Sequence, residues 1–452
     1  MSSLASPRHI VLLPGWYYPD SVGGTERYTQ LLAHDLRMLG YRITIAAPAR
    51  DDREHHYEYD GMPVYRYPID VNPTTSEVQG KFPPRYFETF TRWLEDQRPD
   101  LVHMHSVTRG CGFFHAQQVK SFGVPLCVTV HVPGVTCARG TMQRWGHTPC
   151  DGELRVARCT ACVLHDKGVP RLVGYAVARI PARLARLADR WRHRVLTGLQ
   201  MAELLQHRQT HVHALLSLAD HVVVVSHWLQ EVLRRNGVVT DKLTLSRHGL
   251  SERLLCARAP RPVPQPFAPL RLGYVGRFDA TKGLHVLIEA IRRLPTSTSI
   301  TLRLYGAASG AEEQRYLATV RQQAEGEARV TFMGEMTEQN RDEVFGGFDM
   351  LAVPSTWLET GPLVVLEAFA AGIPVIGSDS GGIAELVTHG ESGLLVPTGS
   401  SKAWTRTLRE VADRWRQGQW TWRIPSVRAS REAALDMQRI YEEVWMKSGS
   451  AR

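Results

Sequence analysis

The sequence predicts an α/β protein of two Rossmann-like, doubly wound domains, each a parallel sheet covered by helices. Three observations predict it. At 452 residues the chain exceeds the ~250–300 residues at which a single hydrophobic core stops growing, so it divides. Short apolar runs alternate with amphipathic helical patterns along most of its length, as parallel strands joined by crossover helices do. The stretch Ala-Pro-Arg-Pro-Val-Pro-Gln-Pro-Phe-Ala-Pro at 259–269 interrupts that rhythm and reads as a stiff, extended linker.

The elements follow in order. Residues 9–13 read as a buried strand, 15–24 as a loop ending in Gly23-Gly24, 25–39 as an amphipathic helix closed by Gly40, and 41–47 as a second strand. Further strands are expected at 64–67, 101–105, 126–130, 221–225 and 242–246. Ligands of doubly wound sheets lie beyond the carboxyl ends of the strands. Gly23-Gly24 therefore either lets backbone approach a ligand closely or is a plain turn. His131 directly follows the strand 126–130; such a histidine is more often structural than functional. His103 and His105 end another strand, where His105 suits an acceptor-side role or a buried, hydrogen-bonded one.

A hydrophobic content of 43% with 22% charge is that of a globular protein, and no apolar run reaches a membrane span. Pro7, Arg8 and His9 precede a short strand rather than a signal-like apolar core, so a cytoplasmic location is expected. The net charge of +9 argues for anionic company: nucleotide diphosphates, a phospholipid surface or nucleic acid.

The second half carries the chemistry. Gly273-Tyr274-Val275-Gly276-Arg277-Phe278-Asp279-Ala280-Thr281-Lys282-Gly283-Leu284 reads as strand, loop and helix start. Arg277 supplies a planar fork and Lys282 a point charge, together able to neutralise a diphosphate. In Pro354-Ser355-Thr356-Trp357-Leu358-Glu359-Thr360-Gly361-Pro362-Leu363-Val364-Val365-Leu366-Glu367 a strand ends and a helix begins near Pro362. Amides at Gly361 and Leu363 would face the phosphates. Glu359 and Glu367, which phosphates would repel, suit sugar hydroxyls: Glu367 a ribose, Glu359 a second sugar. The plainer alternative makes Glu359 a helix-start charge and Glu367 a solvated helix residue. Gly372-Ile373-Pro374-Val375-Ile376-Gly377-Ser378-Asp379-Ser380-Gly381-Gly382-Ile383-Ala384-Glu385 adds a strand, a glycine-rich turn and a helix.

With its Gly-Arg…Lys-Gly loop, Glu-x7-Glu pair and Gly-Gly-x-x-Glu turn, the region 273–397 resembles the nucleotide-sugar-binding half of the retaining GT-B glycosyltransferases of family 4. The resemblance implies a GT-B fold, with two domains facing a cleft. It implies an acceptor-side domain over 1–258, the linker 259–269, a donor domain over 270–429 and a final helix in 430–452 crossing back to the first domain. It assigns the donor diphosphate to Arg277 and Lys282, the ribose to Glu367 and the transferred sugar to Glu359 and His131, with Gly23 and Gly24 close to the donor. Retention of configuration and a lipid-linked, polysaccharide or small-molecule acceptor follow from the same source. With no Asp-x-Asp motif where a divalent ion would be needed, a hexosyltransferase with a metal-independent donor site is expected. The chain departs from the family at Ser246-Arg247-His248-Gly249, where Pro-Asn-Gly is usual. That leaves open whether His248 takes over the asparagine's polar role.

Cys137, Cys150, Cys159 and Cys162 fall within 26 residues of a basic insertion at 132–170. The stretch lacks the periodicity to build its own core, and four thiolates would fold it around a structural zinc. Disulfides, free thiols and an iron–sulfur cluster are the alternatives; His147 and His165 are substitute ligands. In the following region, 171–215, Arg183, Arg186, Arg190 and Arg194 share one arc of a helical wheel beside Leu184, Leu187 and Trp191. That pattern suits either peripheral contact with an anionic membrane or packing on the first domain. Nucleic-acid binding would explain the charge and the cysteines but neither motif, so it is set aside. A nucleotide-sugar epimerase of the same fold and an inactive nucleotide-sugar-binding relative are the other readings.

Overall fold

The computed structural model describes the chain apart from residues 1–5, 22, 71, 74–79, 81, 181–197, 257–267, 420 and 450–452. It divides into two compact units, one of Met1–Arg247 with Ser430–Arg452 and one of His248–Ala429.

Among the described residues the first unit holds an eight-stranded sheet and a small hairpin. The strands are β1 (His9–Leu13), β2 (Arg42–Pro48), β3 (His55–Tyr59), β4 (Met62–Tyr67), β5 (Leu101–Met104), β6 (Leu126–Val130), the hairpin β7 (Gln143–Arg144) and β8 (Thr148–Pro149), then β9 (His221–Val224) and β10 (Leu243–Leu245). The sheet order is β10-β9-β6-β5-β1-β2-β4-β3. β3 pairs antiparallel with β4, and the other pairings are parallel. Strand side chains alternate between faces, so β1 feeds two cores. Val11 and Leu13 join Phe90, Val212 and Leu215 on one face. Ile10 and Leu12 join Leu32, Leu36, Met437, Tyr441 and Trp445 on the other. The last three belong to the final helix, Ser430–Lys447. That helix is also tied down by Trp445, whose Nε1 donates to the carbonyl of Asp100 at 2.8 Å.

The insertion, which lacks the periodicity to build its own core, contains more structure than that pattern suggested. Besides the hairpin it has a helix, Val156–Asp166, whose Leu164 packs on Met201 and Leu205 of the helix Met201–Leu218. Its apolar face is short because the core it joins is supplied by another element. The four arginines proposed for a membrane-facing helix lie outside the described residues.

In the second unit, β11 (Leu270–Val275), β12 (Ile300–Tyr305), β13 (Val330–Gly334), β14 (Met350–Val353), β15 (Val375–Ser378) and β16 (Gly393–Val396) form a parallel sheet ordered β13-β12-β11-β14-β15-β16. β14 is buried throughout: Met350 and Ala352 enter one core, Leu351 and Val353 the other. The boundary expected after residue 258 falls instead before His248. Leu250, Leu254 and Leu255 pack against Leu366 and Ala370, and the amide of Leu250 donates to the carbonyl of Arg428 at 2.9 Å. Proline content marks a stiff stretch, but burial of these leucines decides where the unit begins. Most of the proline-rich stretch, residues 259–267, lies outside the described residues.

Candidate functional site

The Arg277 and Lys282 loop sits at the carboxyl end of β11. Asp279 accepts from the amide of Thr281 at 2.8 Å and caps the single turn Ala280–Lys282. Gly283 then turns left-handed, with φ of 71°. A Cβ there would stand 2.0 Å from the carbonyl oxygen of Pro354, so only glycine lets this loop press against the end of β14. The amide of Thr356 donates to the carbonyl of Thr281 at 2.7 Å and joins the two loops directly.

That contact brings the two motifs together. Lys282 Nζ lies 2.7 Å from Glu359 Oε1, which also accepts from Ser355 Oγ at 2.8 Å. Burial raises the Glu359 carboxyl, but the charge and hydrogen bond of Lys282, helped by Trp357 and Ser355, outweigh it and hold the group below its ordinary range. Trp357 places its ring 5.4 Å from Lys282 Nζ, within cation–π range. Glu359 is therefore no solvated helix-start charge; it is 6% exposed and ionised.

Glu367 is not a solvated helix residue either. It lies in the helix Leu363–Ala370, is 8% exposed, and pairs with Arg341 at 3.4 Å. Arg341 opens a short helix, Arg341–Gly346, with no local motif to announce it. Pro362 precedes the Leu363 helix, leaving the first-turn amides of Leu363 and Val364 without intrahelical carbonyl partners. At Gly361, the carbonyl accepts from His248 Nδ1 at 3.1 Å, which fixes the proton on Nδ1. Burial lowers His248 to about 4, against the carbonyl's opposing pull, so the ring is neutral. His248 thus makes a polar contact to the start of the Leu363 helix.

The Gly-Gly turn serves the same backbone. A Cβ on Gly381 would come within 2.7 Å of the Glu359 carbonyl oxygen, and one on Gly382 within 2.5 Å of that of Thr360. The Gly382 amide donates to the Glu359 carbonyl at 2.6 Å. Arg277 is more open: its Nη1 stands 3.3 Å from Glu313 Oε1, with the side chain about half exposed.

In the first unit, His131 is buried after β6 and its Nε2 lies 3.2 Å from His105 Nδ1. Tyr28 packs edge-on against it at 4.7 Å. His103 bonds Tyr441 and Thr129. Gly23 caps the helix Gly24–Met38, and the space beside it is taken by Glu26, whose Oε2 would lie 2.7 Å from a Cβ. After β5, a cavity of about 240 Å³ is lined by Val107, Arg109, Phe113 and His211. Cys137, Cys150, Cys159 and Cys162 all line a second cavity, of about 30 Å³. Among the described residues, no three His, Cys, Asp or Glu side chains are gathered closely enough to hold a metal ion as placed.

Comparison with known proteins decides the family. Residues 23–249, just over half of the chain, match the family described as glycosyl transferase 4-like domain. The chain belongs to that family. Residues 264–417, which hold every motif of the second unit, match glycosyl transferases group 1.

This family member is 31% identical over 212 residues to a putative colanic acid biosynthesis glycosyltransferase, WcaL, of Escherichia coli, covering 46% of this chain and 51% of that protein. The match thus spans about half the length of that relative. It is 24% identical over 395 residues to the phosphatidyl-myo-inositol mannosyltransferase of Mycobacterium leprae, covering 86% and 83%. Its fold is GT-B. Sucrose-phosphate synthase from Thermosynechococcus elongatus superposes with a TM-score of 0.60 at 21% identity, over 97% of this chain and all of that one. HepE of Anabaena, crystallised with UDP and glucose, gives 0.59 at 16% identity, over 96% of this chain and all of that one.

Proposed function

We propose that this chain is a retaining family-4 glycosyltransferase, of hexosyl type, that moves a sugar from a nucleotide-diphosphate sugar to a lipid-linked or polysaccharide acceptor. The observation carrying the reading is the Lys282–Glu359 pair beside the Leu363 helix start. A cation for the leaving diphosphate and a carboxylate for the neighbouring sugar stand side by side. Arg277, Lys282 and the helix-start amides stabilise charge growing on the departing phosphate, which is work a metal would otherwise do. Glu367, oriented by Arg341, accepts from the ribose hydroxyls. Glu359 accepts from a hydroxyl of the transferred sugar, and His131 contributes on the sugar side. Gly23 and Gly24 are assigned a place close to the donor. The bond from the anomeric carbon to phosphate breaks through an oxocarbenium-like state, and the acceptor hydroxyl attacks from the same face. Its proton leaves with the phosphate oxygen.

The acceptor class draws support from the first unit's aromatic cavity with Arg109 and from the lipid and polysaccharide chemistry in the relatives' names. The basic stretch 183–194 suits reaction at the cytoplasmic face of an anionic membrane. No described helix is long and apolar enough to cross a membrane.

A thermal-shift panel of uridine, guanosine and adenosine diphosphates and their sugars tests the donor site. One base should raise the midpoint and lose that effect in Glu367→Ala. No shift across the panel would refute the reading.

A further inference from the structure

We infer that Cys137, Cys150, Cys159 and Cys162 form a structural zinc site that locks the insertion following His131. The four residues come from two frames brought to one cavity. Cys137 and Cys150 flank the β7–β8 hairpin, and the Cys150 amide closes it by donating to the carbonyl of Met142 at 2.9 Å. Cys159 and Cys162 lie three apart in the helix Val156–Asp166, a spacing that puts both sulfurs on one face.

The surroundings suit bound thiolates. Cys162 Sγ accepts from the Trp145 amide at 3.5 Å and from Arg139 Nη1 at 3.8 Å. Arg158 is electrostatically coupled to Cys150 and Cys159, and Arg208 to Cys137. Four thiolates around a divalent cation carry two net negative charges; Arg139 and Arg158 are already paired with Asp166 and Asp151, which leaves Arg208 to face that charge. Arg208 is the informative member. It donates to the carbonyl of Gly134, its Nε is buried without a hydrogen-bond partner, and no ion pair to a carboxylate is seen for it among the described residues.

Four sulfur ligands suit zinc, which they would close with no open position, and all four cysteines line one cavity. The thiols are free and not yet gathered round a point, so the ion draws them across the cavity. The insertion is anchored at its far side: Asn236 holds both the Leu154 amide and the Gly152 carbonyl, at 2.9 Å each. Closing the thiols would therefore tighten the segment that starts directly after His131.

Metal analysis of the full chain purified without chelator tests this. The expected result is one zinc per chain, lost in Cys159→Ser and in Cys162→Ser, and kept in Cys256→Ser, whose cysteine is exposed outside the cluster. If the cluster variants fail to fold, titrating the wild type with an organomercurial should release one zinc as four thiols react. Metal-free protein with every thiol titratable would overturn the proposal. So would bound iron with visible absorbance, disulfides among the four, or zinc retained in both cluster variants.

Discussion

Lys282 and Glu359, 77 residues apart in sequence, form a 2.7 Å ion pair at the point where two loops of the second unit meet. The pair exists because Gly283 has no side chain to keep its loop off Pro354. It decides the state of the carboxylate: Glu359 would resist ionising in its buried position, and Lys282 reverses that preference.

Replacing Lys282 with Met should leave a buried carboxylate supported only by Trp357 and Ser355 among the groups that lower it. The expected loss is about 3 kcal/mol, the lower end for breaking a buried pair, because Lys282 is partly exposed. A depressed folded pKa means the contribution is complete above the unfolded carboxyl value of roughly 4.3 and disappears as pH falls through the folded value. Without Lys282 burial raises the Glu359 carboxyl, so urea midpoints of wild type and Lys282→Met should differ most at neutral and alkaline pH and draw together in acid as the variant's carboxyl takes up a proton. A difference between the two that does not change with pH would contradict the assignment.

Gly283→Ala and Gly390→Ala separate strain from collision. Both glycines have positive φ, 71° and 81°, but a Cβ at Gly390 meets nothing within 4 Å. Gly390→Ala should cost only the backbone strain, about 1–3 kcal/mol. Gly283→Ala adds collision with Pro354 and should cost more, with donor affinity falling as the Lys282 loop is pushed away. Equal melting temperatures for the two variants would contradict the packing.

Stability should fall as pH drops from about 6.5 toward 4, because the unfolded chain takes up protons there that the folded chain refuses. Burial lowers His103 to about 3, His115 to about 3 and His248 to about 4. Asparagine at 248 can still donate to the Gly361 carbonyl but does not titrate. His248→Asn should therefore flatten the stability–pH slope by close to one proton in that window. An unchanged slope would mean His248 is protonated in the folded chain.

Much of this was legible in the sequence. β1, β6 and β14 are short runs buried at every position, and such runs announce central strands. β3 was missed because His55-His56-Tyr57-Glu58-Tyr59 is a polar edge strand with no fully buried position. Ser355 lay inside the quoted motif, yet its bond to Glu359 depends on how the loop folds. Arg341, 26 residues before Glu367, carries no motif, and only the fold brings the two side chains together. The Gly-Gly turn was read as a glycine-rich turn, whereas its glycines make room for the Glu359 and Thr360 backbone.

At Arg277, donor use should depend on contacts that the fold does not need. Arg277 is half exposed, so Arg277→Ala should leave the melting temperature nearly unchanged. Hydrogen bonds to charged groups are worth about 1.5–3 kcal/mol, so kcat/KM should drop roughly 10- to 150-fold in Arg277→Ala and in Glu367→Ala. Steady-state kinetics within twofold of wild type in both would remove these residues from the donor site.

The most direct test is to incubate the protein with labelled nucleotide sugars and membrane lipid extract, with and without EDTA, and follow the label. The account predicts that one donor loses its sugar to an acceptor with release of nucleoside diphosphate, at the same rate after brief EDTA treatment. Binding without turnover, epimerised donor without transfer, or complete loss in EDTA restored by magnesium or manganese would contradict it.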